Sequence, residues 1–268
     1  MARLSYLLAE EPEERKGKWR GFFHAPSDPG APRRKLFAEI GCGKGKFLTD
    51  MAALHPERLY IGIEGNLSCL YHALEKAGGA DGADEAGASG SNEVDEPGTS
   101  SGTAVADNVR FVPEYITLAS DYFEDGELDG IYLNFSDPWP KPKHAKRRLT
   151  APAKLEDYIS IVRPGGTIEF RTDNDGLFDY TLRRVSTLAG IRIAAVSRDL
   201  HAEREEVAYR TDLLALERAA FSDDAVDAAN DGFDQGKGTL ADLAVSSEYE
   251  DKFSAAGKSI NYLRLEVL

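Results

Sequence analysis

The chain has 268 residues, a formal net charge of -14, 42% hydrophobic and 29% charged residues, proportions that exclude collagen-like, fibrous and wholly disordered proteins. Two cysteines, Cys42 and Cys69, are too few for a disulfide scaffold, and no Cys/His group has zinc-site spacing, so no metal is expected. No run of 18 apolar residues and no signal-peptide core is present, and the expectation is a cytoplasmic protein that does not engage a membrane.

In chain order, residues 1–34 read as a basic N-terminal extension, with Arg15, Lys16, Lys18, Arg20, Arg33 and Arg34 partly offset by four glutamates. Strands are predicted over 35–40, 59–64, 109–113, 128–134, 166–172, 191–199 and 261–267, from short apolar runs bounded by turn residues. Helical spacing of apolar positions is predicted over 46–53, 66–77, 151–162 and 177–188. This alternation implies a single α/β domain with a seven-stranded, mainly parallel sheet and helices on both faces. The last two strands lack a compact crossover helix, which suits an antiparallel pair at one edge.

Two segments interrupt the pattern. Residues 78–107 hold seven acids and no Lys or Arg. A second insertion, 210–245, carries six aspartates and one lysine in its stretch from 219. Together they account for -12 of the net charge, and their lack of apolar periodicity reads as flexible insertion. A positive strip survives at 141–148, KPKHAKRR, where Lys141, Lys143, Lys146, Arg147 and Arg148 stand without an acid. Such a strip suits a polyanion such as nucleic acid, although a solvated face has the same composition.

The first strand leads into LFAEIGCGKGKFL, where Gly41, Gly43 and Gly45 open a helix. Glycines there let the chain turn with positive φ and let a ligand approach without a Cβ in the way. The spacing is G-x-G-x-G and not the G-x-G-x-x-G of dinucleotide enzymes, which argues against an NAD oxidoreductase. Glu64 closes the next strand, 21 residues beyond Gly43, where a carboxylate accepts from both hydroxyls of a ribose. Strand, glycine turn and acid together specify a nucleoside-type cofactor. The arrangement resembles the S-adenosylmethionine site of class I methyltransferases, which have a Rossmann-like fold. That resemblance implies that Glu39 lies near the amino group of the methionine part and that Glu64 holds the ribose. Cys42 and Cys69 read as small packed residues.

The fourth strand runs into NFSDPWPKPKHAKRRL, Asn134 to Leu149. In an open α/β sheet the ligand crevice lies beyond the carboxyl ends of the strands, so Asn134 and Asp137 are expected beside the glycine loop. Pro138, Pro140 and Pro142 stiffen that loop. Trp139 reads either as packing or as a direct contact.

Here the sequence resembles the tRNA (guanine-N7)-methyltransferases, the TrmB-like family. FAEIGCGKGKFL, YIGIEGN, YLNFSDPWPKPKHAKRRL, FRTDNDGLF and SEYEDKFSAAGK follow the family's blocks in the family's order, over most of the chain outside the insertions. The resemblance implies methyl transfer from S-adenosylmethionine to N7 of guanine in the tRNA variable loop, normally position 46. It implies that Asp137 is the catalytic acid, that Lys141 and Asp173 contact substrate, and that Ser247, Glu248, Tyr249 and Glu250 form the substrate-binding segment. Asp173 alternatively reads as a helix N-cap, and Glu250 as a solvated residue. Lys143, Lys146, Arg147 and Arg148 are expected on tRNA phosphates. The chain departs from the family near the adenine ring, where Tyr115 and Ile116 replace Asp and Ala, leaving Glu114, Tyr115 or backbone groups to serve the cofactor. No obligatory protein partner is implied, and a monomer or a homodimer is expected. Two rival readings are an exocyclic-amine nucleic-acid methyltransferase and a catalytically idle tRNA-binding protein of the same fold.

Overall fold

The computed structural model describes residues 2–23, 32–79, 107–207 and 237–268. Its centre is a sheet of β1 (Leu36–Ile40), β2 (Leu59–Ile63), β3 (Val109–Val112), β4 (Leu128–Asn134), β5 (Val162–Thr172), β6 (Ile191–Ser197) and β7 (Asn261–Val267). Every residue of β1 to β4 is buried, which is why these strands read as continuous apolar runs and not as alternating ones. The strand order is β3-β2-β1-β4-β5-β7-β6. β1 to β5 run parallel, whereas β7 pairs antiparallel with both β5 and β6. The expected antiparallel pair is therefore at the edge, with β7 inserted one position in and β6 outermost.

Helices cover both faces. On one, α1 (Lys46–Leu54) and α2 (Leu67–Ala77) bury Phe47, Leu48, Met51, Leu70, Ala73 and Leu74 against Phe37, Tyr60 and Tyr132. On the other, α3 (Pro152–Ile161) and α4 (Asp175–Val185) bury Leu155, Tyr158, Leu177 and Phe178 against Leu36, Ala38 and Ile131. Successive connections leave β1 and β4 in opposite directions, so the order reverses between these two neighbours, the place where an α/β sheet opens a crevice.

The structure adds two features to the domain organisation. The N-terminal segment, expected as a basic extension, packs on the domain: Trp19 is fully buried, its backbone N–H donates to Glu127 Oε1 at 3.1 Å, and its indole donates to the Tyr122 carbonyl at 2.8 Å. Two of its basic residues are half-buried, Arg20 reaching Asp129 at 2.7 Å and Arg15 lying 3.5 Å over the Phe22 ring, while Lys16, Lys18 and Arg33 are exposed. The second insertion ends earlier than composition suggests. Residues 237–244 form α5 (Lys237–Ala244), whose Leu243 is buried and whose Asp242 accepts from Arg58 at 3.0 Å and meets His55 Nε2. The hydrogen bond from His55 and the Arg58 guanidinium hold the Asp242 carboxyl below its usual range despite burial. α6 (Glu248–Ala255) follows. Residues 80–106 and 208–236, which hold most of both acidic stretches, lie outside the described residues. Among the described residues no helix is long and apolar enough to cross a membrane.

Candidate active site

Beyond β1 the chain turns through Gly41 and Gly43 at φ 78° and 56°, values that disfavour any residue with a Cβ. The Gly41 and Cys42 N–H groups donate to the Ile63 carbonyl at 2.8 and 3.1 Å, folding the loop over the tip of β2. A Cβ built on Gly41 or Gly43 meets nothing within 4 Å, so these positions border open space. Gly45 differs: its Cβ would strike Ala73 Cβ at 2.6 Å, so this glycine lets α1 approach α2. Glu64 ties the two turns together, accepting from Gly43 N–H at 3.0 Å and from Asn66 N–H at 2.7 Å. Cys42 is a packed residue, its thiol pushed well up by burial.

Glu39 is 2% exposed, and its Oε1 accepts from Asn134 Nδ2 at 2.8 Å across the β1–β4 pair. Its Oε2 and the Asn134 Oδ1 are both buried without a donor. Desolvation pushes the Glu39 carboxyl up to about 8. Two unsatisfied acceptors on neighbouring strand tips call for a donor-rich, cationic group.

Immediately after Asn134 the backbone is unusual. Phe135 and Trp139 adopt φ 49° and 40°, left-handed values rare for aromatic residues, and they bracket Asp137. The Asp137 side chain is exposed. The chain then forms a 3-10 helix, Pro142–Arg147, from which His144 meets the Trp139 ring edge-on at 5.6 Å and Arg147 lies 4.9 Å over it. Trp139 thus has a packing role. Lys141, Lys143, Lys146 and Arg147 are exposed, as phosphate contacts require. Arg148 differs: it is half-buried and bonded to the Asp137 loop.

The C-terminal block closes the site from the β5–β7 side. Ser247 caps α6, accepting from Glu250 N–H at 3.1 Å. Glu248 pairs with Lys76 at 2.8 Å. Tyr249 is exposed and stacks on Phe253 at 6.3 Å, and Phe253 in turn lies 5.9 Å from Phe135 at the root of the Asp137 loop. Glu250 is 1% exposed, neither solvated nor available to a substrate; it pairs with Arg171 Nη1 at 3.0 Å, and His201 Nε2 stands 3.3 Å from its other oxygen. Asp173 is not the cap of α4, which is Asn174, and its carboxylate accepts from Lys258 at 2.7 Å. Glu114 is exposed, and Tyr115, 77% exposed, lays its ring on Gly65, where a Cβ would lie 2.3 Å from Tyr115 Cγ. Sequence reasoning missed Arg171 and Lys258. Arg171 did leave a signal, a cation directly after the apolar Phe170 near the end of a strand, where burial needs a partner.

Comparison with known proteins fits this geometry. The family model Methyltransf_4, "Putative methyltransferase", matches residues 33–212. A tRNA (guanine-N(7)-)-methyltransferase of Lactococcus lactis subsp. cremoris (strain MG1363) is 40% identical over 268 residues, 100% of this chain and 93% of that one. The chain belongs to the tRNA (guanine-N7)-methyltransferase family. A further member, from Levilactobacillus brevis, is 39% identical over 200 residues, 75% of this chain and 78% of that one. Among solved structures, an antibiotic related methyltransferase aligns with a TM-score of 0.52 and 13% identity over 97% of this chain and 96% of that one, a likeness of fold.

The residues of this family member fit S-adenosylmethionine. The unpartnered Glu39 and Asn134 oxygens suit the ammonium of its amino-acid end, and Glu64 carries acceptors for ribose hydroxyls. The open space beside Gly41 and Gly43 admits the backbone-hugging body of the ligand. Among the described residues no group of three His, Cys, Asp or Glu side chains is placed to hold a metal ion.

Proposed function

We propose that this chain methylates N7 of guanine in tRNA, at position 46 of the variable loop, with S-adenosylmethionine as donor. The observation that carries the reading is the double use of one strand tip. Asn134 bonds the buried Glu39 of the cofactor side, and three residues later Asp137 emerges exposed from a strained loop. When bound, the cofactor would supply a sulfonium methyl that a neutral nitrogen can accept, the C–S bond breaking as the neutral thioether leaves. Guanine N7 already presents an in-plane lone pair, so no strong base is required, and the protein's task is alignment.

Asp137 serves that task by accepting from guanine N1–H and N2–H, which orients the ring. Its carboxylate also favours the positive charge that develops on the purine. Lys141, Lys143, Lys146 and Arg147 hold phosphates, which fixes register without reading sequence. RNA shape and one accessible base then set the choice of target. Asp173, Ser247, Glu248 and Tyr249 border the acceptor side, and Glu114 and Tyr115 border the adenine side. The protein acts in the cytoplasm as a monomer or a homodimer, without an obligatory second protein.

The test incubates the protein with labelled methyl donor and unmodified tRNA, then maps aniline cleavage after borohydride reduction. Cleavage at the variable-loop guanine is expected. Label on an exocyclic amine, which gives no cleavage, or no label at all with donor in excess, overturns the reading.

A further inference from the structure

The Asp137 loop has an internal shortage of hydrogen-bond donors. Pro138, Pro140 and Pro142 have no N–H, so a loop whose carbonyls must be satisfied lacks the groups that a tight turn would use. Arg148 supplies them from outside: its Nε donates to the Pro138 carbonyl and its Nη2 to the Trp139 carbonyl, both at 3.0 Å. A guanidinium offers two donors in one rigid plane, which an ammonium cannot. That plane is held in turn. It lies 4.2 Å over the Tyr180 ring on α4, and Arg184 lies 5.1 Å from the same ring. The backbone of Arg148 is fixed by the turn in which Ala151 N–H donates to its carbonyl at 3.0 Å, and Thr181 of α4 bonds Thr150 at 2.8 Å.

We infer that Arg148, seated on Tyr180, is a positioning residue that clamps the Asp137 loop in its left-handed form, and is not a phosphate contact like its neighbours. Trp139 at φ 40° stays in a sparsely populated conformation only if its surroundings enforce it, and the Arg148 fork sits on the carbonyls at either side of its α-carbon's preceding and following peptides. The clamp therefore acts on Asp137 through the backbone. It rests on the methyl-transfer reading, since its consequence is a rate.

Arg148→Lys separates the two roles, because it keeps the charge that a phosphate would feel and loses the planar fork. In the full chain with unmodified tRNA, this variant is expected to lower kcat by about tenfold to 100-fold with KM for tRNA and its salt dependence unchanged, the signature of a small misplacement of a reacting group. Tyr180→Leu leaves every charge in place and is expected to lower kcat in the same way by a smaller factor. Combining Arg148→Lys with Asp137→Asn should cost no more than Asp137→Asn alone. A thermal melt on each variant accompanies the kinetics, and if Arg148→Lys does not fold, Tyr180→Leu decides. Wild-type kcat in a folded Arg148→Lys protein, or a raised KM with flattened salt dependence in either variant, overturns the clamp. Wild-type protein that leaves tRNA unmethylated overturns instead the function on which it rests.

Discussion

The two strand tips that meet at the sheet switch point are held by different means. The glycine loop beyond β1 is fixed through its own backbone: its N–H groups bond Ile63 and Glu64, residues of the adjacent strand and turn. The Asp137 loop beyond β4 is fixed by side chains of several segments, by Arg148, by the Phe135–Phe253–Tyr249 ring ladder, and by a C-terminal block that Arg171 and Lys258 tie down. The contrast follows from what each end must do. A small cofactor can be met by a preformed backbone cradle, whereas a folded RNA needs a broad surface assembled from several segments.

This contrast predicts that the acceptor side can be loosened without touching the cofactor side. The largest effect is expected from Arg171→Met, which leaves Glu250 buried without its guanidinium and should destabilise the protein by about 3–5 kcal/mol in urea unfolding. Adding Glu250→Leu should restore most of that loss. Asp137→Asn should lower kcat by about 100-fold while methyl-donor affinity, read by calorimetry, stays put; unchanged methylation in this variant would remove Asp137 from the chemistry.

On the cofactor side, Glu39 offers a pH test. Its carboxyl is raised from 4.5 to about 8, so the folded state holds a proton that the unfolded state releases, and stability should fall as pH rises through that window. Glu39→Gln should flatten the slope. Donor binding at pH 7 should release a proton in wild-type protein and none in the variant, seen as a buffer-dependent binding enthalpy.

Smaller changes are expected at the surface. Lys146→Glu with Arg147→Glu should weaken tRNA binding by about tenfold, flatten its salt dependence and spare donor binding; equal losses on both ligands would erase the division between the two sides. Least of all, Lys258→Met should cost less than about 1 kcal/mol, because the Lys258–Asp173 pair is exposed to solvent. Its use is to ask whether a freed Asp173 raises or lowers KM for tRNA.

The sequence by itself determined the order of the seven strands and of α1 to α4, the glycine turn and the positive strip, but not α5 or α6. Each of these depends on residues close together in the chain, where periodicity, turn chemistry and local charge act directly. Only the tertiary structure decided which of the basic residues face solvent. Arg147 and Arg148 are neighbours of identical composition, yet one leans on Trp139 at the surface and the other bonds the loop carbonyls. The same holds for Glu250, legible as part of a surface motif but turned inward toward Arg171, 79 residues away. It also holds for Trp19, which joins the core through Glu127 and Tyr122. A charged or aromatic side chain takes its role from the partner that folding brings to it, and that partner is set by the packing of distant elements, which no local pattern encodes.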